Sequence, residues 1–175
     1  MIKITFKERP EEALCWRMPN IVVQKKEELS VEKGLAVLIV KENGESYNYR
    51  YGIHELDVSR KEAKSTTIEI FVFVVSETQC YFGGRSKDHS VCVNGSYYVN
   101  VVEGYYNPLL RKLGTVAKAI LVDDITAIAN QNLPKIITET SNQAEFTSKL
   151  EAHLSEVLGE YGLQVSNVST DYYGE

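Results

Sequence analysis

The stretch from Asn142 to Tyr173 constrains this chain more than any other. Phe146, Leu150, His153, Leu154, Val157, Leu158 and Tyr161 recur at helical spacing and form one apolar stripe, interrupted only by His153. Asn142 followed by Glu145 places an amide oxygen at an N-cap and a carboxyl group three residues on. The amide can take an orphan backbone N–H, and Glu145 can reach back toward the cap. Gly162 stands where a helix needs a left-handed residue after its last turn. Beyond it Leu163, Val165 and Val168, spaced by polar residues, read as a short bulged strand. A helix that turns at glycine and returns as a strand needs a sheet to pack on, and the earlier chain must supply it.

The earlier chain has the residues for one. Residues 1–27 read as an N-terminal arm with a short β-like start, anchored on the body by Trp16, the single tryptophan. Residues 28–106 read as mainly β. Leu35 to Val40 is a nearly continuous apolar run, which suits a strand buried on both faces. Asn43-Gly44 then suits a two-residue type I′ hairpin, with Ser46 to Tyr51 as the return strand and its tyrosines on one face. Residues 57–66, with Arg60, Lys61, Glu62 and Lys64, read as a solvated loop. Residues 67–103 read as an antiparallel meander. Its parts are an apolar strand over Ile68 to Val75, a shorter one over Gln79 to Phe82 and a loop over Gly83 to Asp88. A second Asn-Gly hairpin at Asn94-Gly95 pairs Val93 with Ser96 and Cys92 with Tyr97.

Residues 107–175 read as mainly helical with a final strand. Asn107-Pro108 is a cap followed by proline in the first turn, and Gly114 ends that short helix. Ala117 to Val122 reads as briefly extended. Asp123 or Asp124 then caps a helix with a core stripe of Ile125, Ile128, Ala129, Asn132 or Leu133, Ile136 and Ile137, in which Pro134 predicts a kink or break. Together these give an α+β domain over residues 1–175. It is an antiparallel β-meander sheet with helices packed on it and a C-terminal helix–strand unit. At 175 residues a single domain is the expectation.

A search for chemistry in the sequence yields no catalytic, cofactor-binding or metal-binding set. His54, His89 and His153 are far apart and lack metal-type spacing. Asp123 and Asp124 are adjacent at a helix start, where capping is the natural role. Gly83-Gly84-Arg85 lacks the strand-to-helix setting of a phosphate loop and reads as a turn. No nucleophile motif occurs. The cysteines number three, without C-x-x-C spacing, which suits reduced thiols in the cytosol. Cys80 and Cys92 flank the Gly83 to Ser90 loop, and a hairpin there would let them face each other across two strands. A net charge of −5 disfavours an extended phosphate-binding face, so nucleic acid is not an expected partner. No run approaches the ~20 apolar residues of a membrane-spanning helix, and Met1 to Thr5 carry no signal-peptide core.

Taken in order, several segments resemble the SPFH (band 7) domain of stomatin, prohibitin and flotillin, and within it the bacterial group described as virion-core-protein-like. The carriers are Leu35 to Val40, the Asn43-Gly44 turn, and Gly52-Ile53-His54-Glu55-Leu56. They continue with the Ile68 to Val75 strand, Tyr81-Phe82-Gly83-Gly84, and Gly95 to Val101 followed by Asn107-Pro108-Leu109-Leu110 and Leu113-Gly114. The helix to Gly162 and its following strand complete the match over roughly residues 28–173. Tyr51 stands where the family often has proline, Asn107 where it has aspartate, and no proline follows Gly83-Gly84. The family's N-terminal membrane segment and long C-terminal coiled coil are not in this sequence, so direct insertion and large-ring assembly are not expected.

The resemblance implies a non-enzymatic scaffold or assembly module without cofactor. It would self-associate as a homo-oligomer and act in the cytoplasm, at the inner periphery of the cell membrane, with membrane lipid or membrane-associated proteins as partners. The competing reading is a small-ligand-binding protein or enzyme that uses Tyr47, Tyr49, Tyr51 and Tyr97 as an aromatic pocket.

Overall fold

The apolar run at Leu35 begins the strand that pairs along its whole length with the apolar run from Ile68. The computed structural model describes residues 1–24, 26–56 and 65–174. In chain order its strands and helices are β1 (Ile2–Ile4), β2 (Ala13–Arg17), β3 (Ile21–Gln24), β4 (Glu28–Val31), β5 (Leu35–Lys41), β6 (Ser46–Tyr49), β7 (Gly52–Glu55), β8 (Ser65–Val74), β9 (Thr78–Arg85), β10 (Val91–Val101), α1 (Asn107–Leu113), β11 (Ala119–Leu121), α2 (Val122–Asn130), α3 (Leu133–Thr138), α4 (Gln143–Gly159) and β12 (Leu163–Gly174). The fold is mixed α+β with open, mostly antiparallel sheets; among the described strands only β1 and β4 pair in parallel.

The chain divides into two compact units. One is Met1–Ser76 with Leu113–Leu121; the other is Glu77–Lys112 with Val122–Glu175. In the first, β5 pairs β8 over its whole length, from Leu35 opposite Val74 to Lys41 opposite Ile68. The sheet runs β11-β2-β8-β5-β6, with β3 also on β8, and a smaller sheet runs β1-β4-β7. Alternate residues Leu35, Val37 and Ile39 of β5 and Ile68, Ile70, Val72 and Val74 of β8 join Leu29, Val31 and Trp16 in one apolar cluster. Ala36, Leu38, Phe71 and Phe73 are buried as well, so β5 and β8 are covered on both faces. Each buried Val, Leu, Ile or Phe side chain contributes about 1.5–3 kcal/mol on burial. The N-terminal arm is part of these sheets: β1, β2 and β3 lie within them, and Ala13 to Trp16 are buried.

In the second unit β10 is the middle strand, with β9 on one side and β12 on the other. α4 packs on β12, and α2 and α3 pack on α4 and β9. Phe146 of α4 lies 6.4 Å from the Phe82 ring and 6.0 Å from the Tyr172 ring, joining the helix to both edge strands. The helix starts as its sequence dictates. Asn142 Oδ1 accepts the Glu145 N–H at 2.9 Å, and Glu145 Oε2 accepts the Ser141 N–H at 3.3 Å. It ends with Gly162 at φ +74, and Phe146, Leu150, Leu154 and Leu158 are its buried stripe. Pro134 marks the break between α2 and α3 and occupies the first turn of α3, where its missing N–H costs nothing.

Several sequence expectations are corrected here. Asn43-Gly44 does reverse the chain, but as a three-residue loop. Gly44 N–H bonds Lys41 O at 3.0 Å, Lys41 N–H bonds Glu45 O at 2.9 Å, and Gly44 is the residue with positive φ (+86). That is the bulged hairpin rather than type I′. Asn94-Gly95 is not a turn. Both lie inside continuous β10, where Gly95 pairs Phe82 on one side and Thr170 on the other. A Cβ on Gly95 would stand 2.0 Å from the Ser169 carbonyl oxygen and 2.7 Å from the Phe82 ring, so glycine is there for close backbone approach.

The reversal falls instead at Ser86–Ser90, with His89 at φ +61. The Gly83-Gly84-Arg85 stretch is strand, and a Cβ on Gly84 would meet Leu133 Cδ2 at 2.8 Å. Residues 67–103 do not form one meander, because β8 and β9 belong to different sheets. The final strand runs the length of β10, bulged at Asn167 (φ +51). Residues 57–64, including Arg60, Lys61, Glu62 and Lys64, lie outside the described residues.

Gly95→Ala is expected to destabilise the protein by about 3 kcal/mol, because the obstructing atom is backbone and cannot rotate away. Gly44→Ala, open to solvent at positive φ, should cost about 1–2 kcal/mol, and Asn142→Ala about 1 kcal/mol. Chemical denaturation of the three variants checks the order.

Candidate functional site

The residues singled out by the sequence are distributed over separate places. Tyr47 and Tyr49 share a face of β6 and are half-buried. Lys41 Nζ lies 4.8 Å over the Tyr47 ring, whose hydroxyl donates to Glu45 Oε2 at 2.8 Å. Tyr49 stacks on His54 at 5.3 Å, and His54 Nε2 is 2.7 Å from the Arg50 carbonyl oxygen. Lys41 and Tyr47 meet across the β5–β6 pair, whereas Tyr49 and His54 belong to strands of different sheets. Tyr51 is exposed. Tyr97 is not part of that face. It lies in the second unit with no exposed surface, opposite Cys80 across β9 and β10. Burial, and then the Cys80 thiol, pushes its phenol above the ordinary value, and its hydroxyl has no hydrogen-bond partner.

The two cysteines on that hairpin do not face each other. Cys80 pairs Tyr97 while Cys92 pairs Arg85. Five residues of strand separate the two levels, about 17 Å, far beyond the ~7 Å limit between Cα atoms for a disulfide. Cys15, Cys80 and Cys92 form no disulfide. Cys15 is fully buried and its pKa is pushed up to about 12 by that burial, with Arg17 a smaller opposing influence.

The most elaborate polar geometry lies within the loop expected after Gly83. At the β9–β10 reversal, Asp88 Oδ1 accepts from the Ser86 hydroxyl at 2.6 Å, the Ser90 hydroxyl at 2.7 Å and the Ser90 N–H at 3.1 Å. The Ser86 hydroxyl in turn accepts the Val91 N–H at 3.0 Å. Ser86, then Ser90, holds the Asp88 carboxyl at about 2, below its ordinary 3.8. A groove of about 320 Å³ lies beside this turn, walled by Ile137, Thr138 and Thr140. Thr138 and Thr140 already donate to helix carbonyls at 2.8 and 3.0 Å, so the cluster reads as a locked turn and not as a nucleophile with its base.

His153 is half-buried on α4, and its Nε2 has no partner. Asp123 and Asp124 fall in the first turn of α2, which begins one residue before them, at Val122. Among the described residues no three His, Cys, Asp or Glu side chains are grouped to hold a metal ion, and no helix is long and apolar enough to cross a membrane.

What remains open is a strand edge. β12 bonds β10 on one side and, among the described residues, no strand on the other. Gln164, Asn167, Ser169, Asp171 and Tyr173 along it are exposed, Tyr173 at 60%. Its local ties are from α4: Gln143 Nε2 donates to the Thr170 carbonyl at 2.7 Å, and Thr147 and Thr170 hydroxyls lie 2.5 Å apart. The exposed face of α4 itself is small and polar, with Ala144, Ser148, Glu151, Ala152 and Ser155. No protein-family model matches the chain, and a search of curated proteins returns no match.

Two outcomes follow from this geometry. The depressed Asp88 value means the ionised carboxylate favours the folded state. That contribution is complete above about pH 3.8 and is lost as pH falls through about 2. Asp88→Asn should therefore be less stable than wild type at neutral pH, with the gap closing toward pH 2 in thermal melts. Under native conditions a thiol reagent should label half-buried Cys92 well before Cys15 or Cys80, as mass mapping would show.

Proposed function

We propose that this chain is a non-enzymatic assembly module of the SPFH/band 7 kind, self-associating through the β12 edge and acting at the cytoplasmic periphery of a membrane. The observation that carries the assembly half is that edge. A long strand presents unpaired N–H and C=O groups, which template pairing with another chain. Edges are blunted by proline, inward charge or bulges. The prolines, Pro10, Pro19, Pro108 and Pro134, all lie outside the strands, and β12 carries only the Asn167 bulge. Ser169 to Gly174 beyond that bulge is the longest stretch of this strand without a register shift, tied by α4 at the Thr170 carbonyl. The polar outer face of α4 makes the helix the weaker candidate.

The SPFH-like part of the proposal rests on the order of the segments from Leu35 to Thr170. The open antiparallel sheets and the α4–β12 ending are compatible with it. The membrane part rests on that resemblance alone. A net charge of −5 gives no electrostatic attraction to an anionic leaflet, so any lipid contact would have to be local.

Sedimentation equilibrium over a wide concentration range tests the assembly. A dimer or small oligomer is expected, with Tyr173→Lys raising the dissociation constant at least tenfold by placing charge on the edge. A clean monomer up to about 1 mM, the weak limit of specific affinity, would overturn it. Co-sedimentation with phosphatidylcholine–phosphatidylserine vesicles tests the membrane half; a chain that stays in the supernatant removes it.

A further inference from the structure

A groove in the second unit, independent of the β12 edge reading, has the composition of a small-ligand site. It measures about 400 Å³ and is lined by Tyr105, Pro108, Arg111, Lys112, Glu160 and Tyr161. That volume is within the usual range for small-molecule pockets. Its walls are fixed by backbone. Val102 N–H bonds the Gly162 carbonyl at 2.9 Å, and Tyr105 N–H bonds Val102 O at 3.0 Å. A Cβ on Gly162 would stand 2.6 Å from the Tyr105 carbonyl oxygen and 3.2 Å from its ring, so the Tyr105 wall is pressed directly on the turn that carries Tyr161. Both rings reach the groove, and Tyr105 is 52% exposed.

The charges are arranged but unspent. Lys112 Nζ lies 5.5 Å over the Tyr161 ring, which holds the ammonium at the groove wall. Arg111, in the last turn of α1, has no side-chain partner among the described residues. Glu160 has none either, so the opposite charges in the groove are not neutralising each other through a direct contact. A helix-dipole role accounts for two basic residues at the end of α1. It does not account for two tyrosine rings beside them. In a chain of net charge −5, this is a local concentration of positive charge against aromatic surface.

We infer that this groove binds a small molecule in which a flat ring carries a single phosphate or carboxylate. The ring lies against Tyr105 and Tyr161, and Arg111 with Lys112 takes the oxyanion. A guanidinium fork matches either anion in two parallel hydrogen bonds. Glu160 sets the direction, since the anion sits at the end away from its carboxylate.

The test is titration of the full chain, by protein-observed NMR, with four probes: phenyl phosphate, benzoate, benzyl alcohol and inorganic phosphate. Phenyl phosphate or benzoate is expected to bind at least tenfold more tightly than either the neutral ring or the ringless anion; which of the two wins distinguishes the anion. Arg111→Gln should weaken that binding about tenfold and Glu160→Gln should strengthen it. Both side chains are exposed, and circular dichroism confirms that the variants fold. No shift with any probe at about 10 mM, weaker than any specific affinity, would overturn the inference. So would equal binding of benzyl alcohol, or an unchanged affinity in Arg111→Gln.

Discussion

The second unit depends on one point of contact: the backbone of β10 at Gly95, with the Ser169 carbonyl and the Phe82 ring occupying the place of a side chain. Because β10 is the middle strand, this approach sets its spacing to both neighbours at once. The inner face then has room for Phe82, Tyr97 and Phe146 to meet, with ring centroids 6.3 Å and 6.4 Å apart. Aromatic contacts at that distance add about 0.5–1.5 kcal/mol each beyond their buried area. The Tyr97 hydroxyl is the cost of filling that space with a polar-tipped ring, since an unpaired buried hydroxyl costs about 1–3 kcal/mol.

The first unit solves a different problem. β5 and β8 are apolar on both faces, so neither can serve as an outer strand. They pair with each other, and β2, β3 and β6 occupy the flanks. Trp16, Ile4 and Leu29 come from the short N-terminal strands and fill one side of the pair. The arm is thereby required by the hydrophobic load of a strand far along the chain.

What could be read beforehand was what local chemistry decides. The Asn142 cap, the Gly162 exit, the Pro134 break and the doubly buried β5 need only a few adjacent residues to be recognised, and they stand as read. Asn94-Gly95 misled because glycine serves two purposes, positive φ and close approach, and the dipeptide does not distinguish them. The length of β12 was hidden by Ser166, Asn167, Ser169 and Asp171, which have weak strand preference; pairing along all of β10 overrides it. The groove at Tyr105 and Tyr161 was invisible, since its walls come from segments some fifty residues apart in the chain, joined by a backbone bond between Val102 and Gly162. Serine and aspartate around Asp88 signal a turn, but which side chain bonds which backbone group is set only once β9 and β10 are paired.

The division of the chain bears on how it is made. The first unit takes β11 from Leu113–Leu121, after the second unit has already received β9 and β10. β2, which pairs Cys15 with Ile120, therefore waits more than a hundred residues for its outer neighbour. On a ribosome, synthesis through Ser76 leaves a nascent sheet whose β2 margin is bare, and the same ribosome must deliver the β9–β10 hairpin before that margin is closed. Long-separation closures of this kind slow folding and prolong exposure. A fragment ending at Ser76 would present that bare margin permanently, so the first unit is a poor choice for expression on its own.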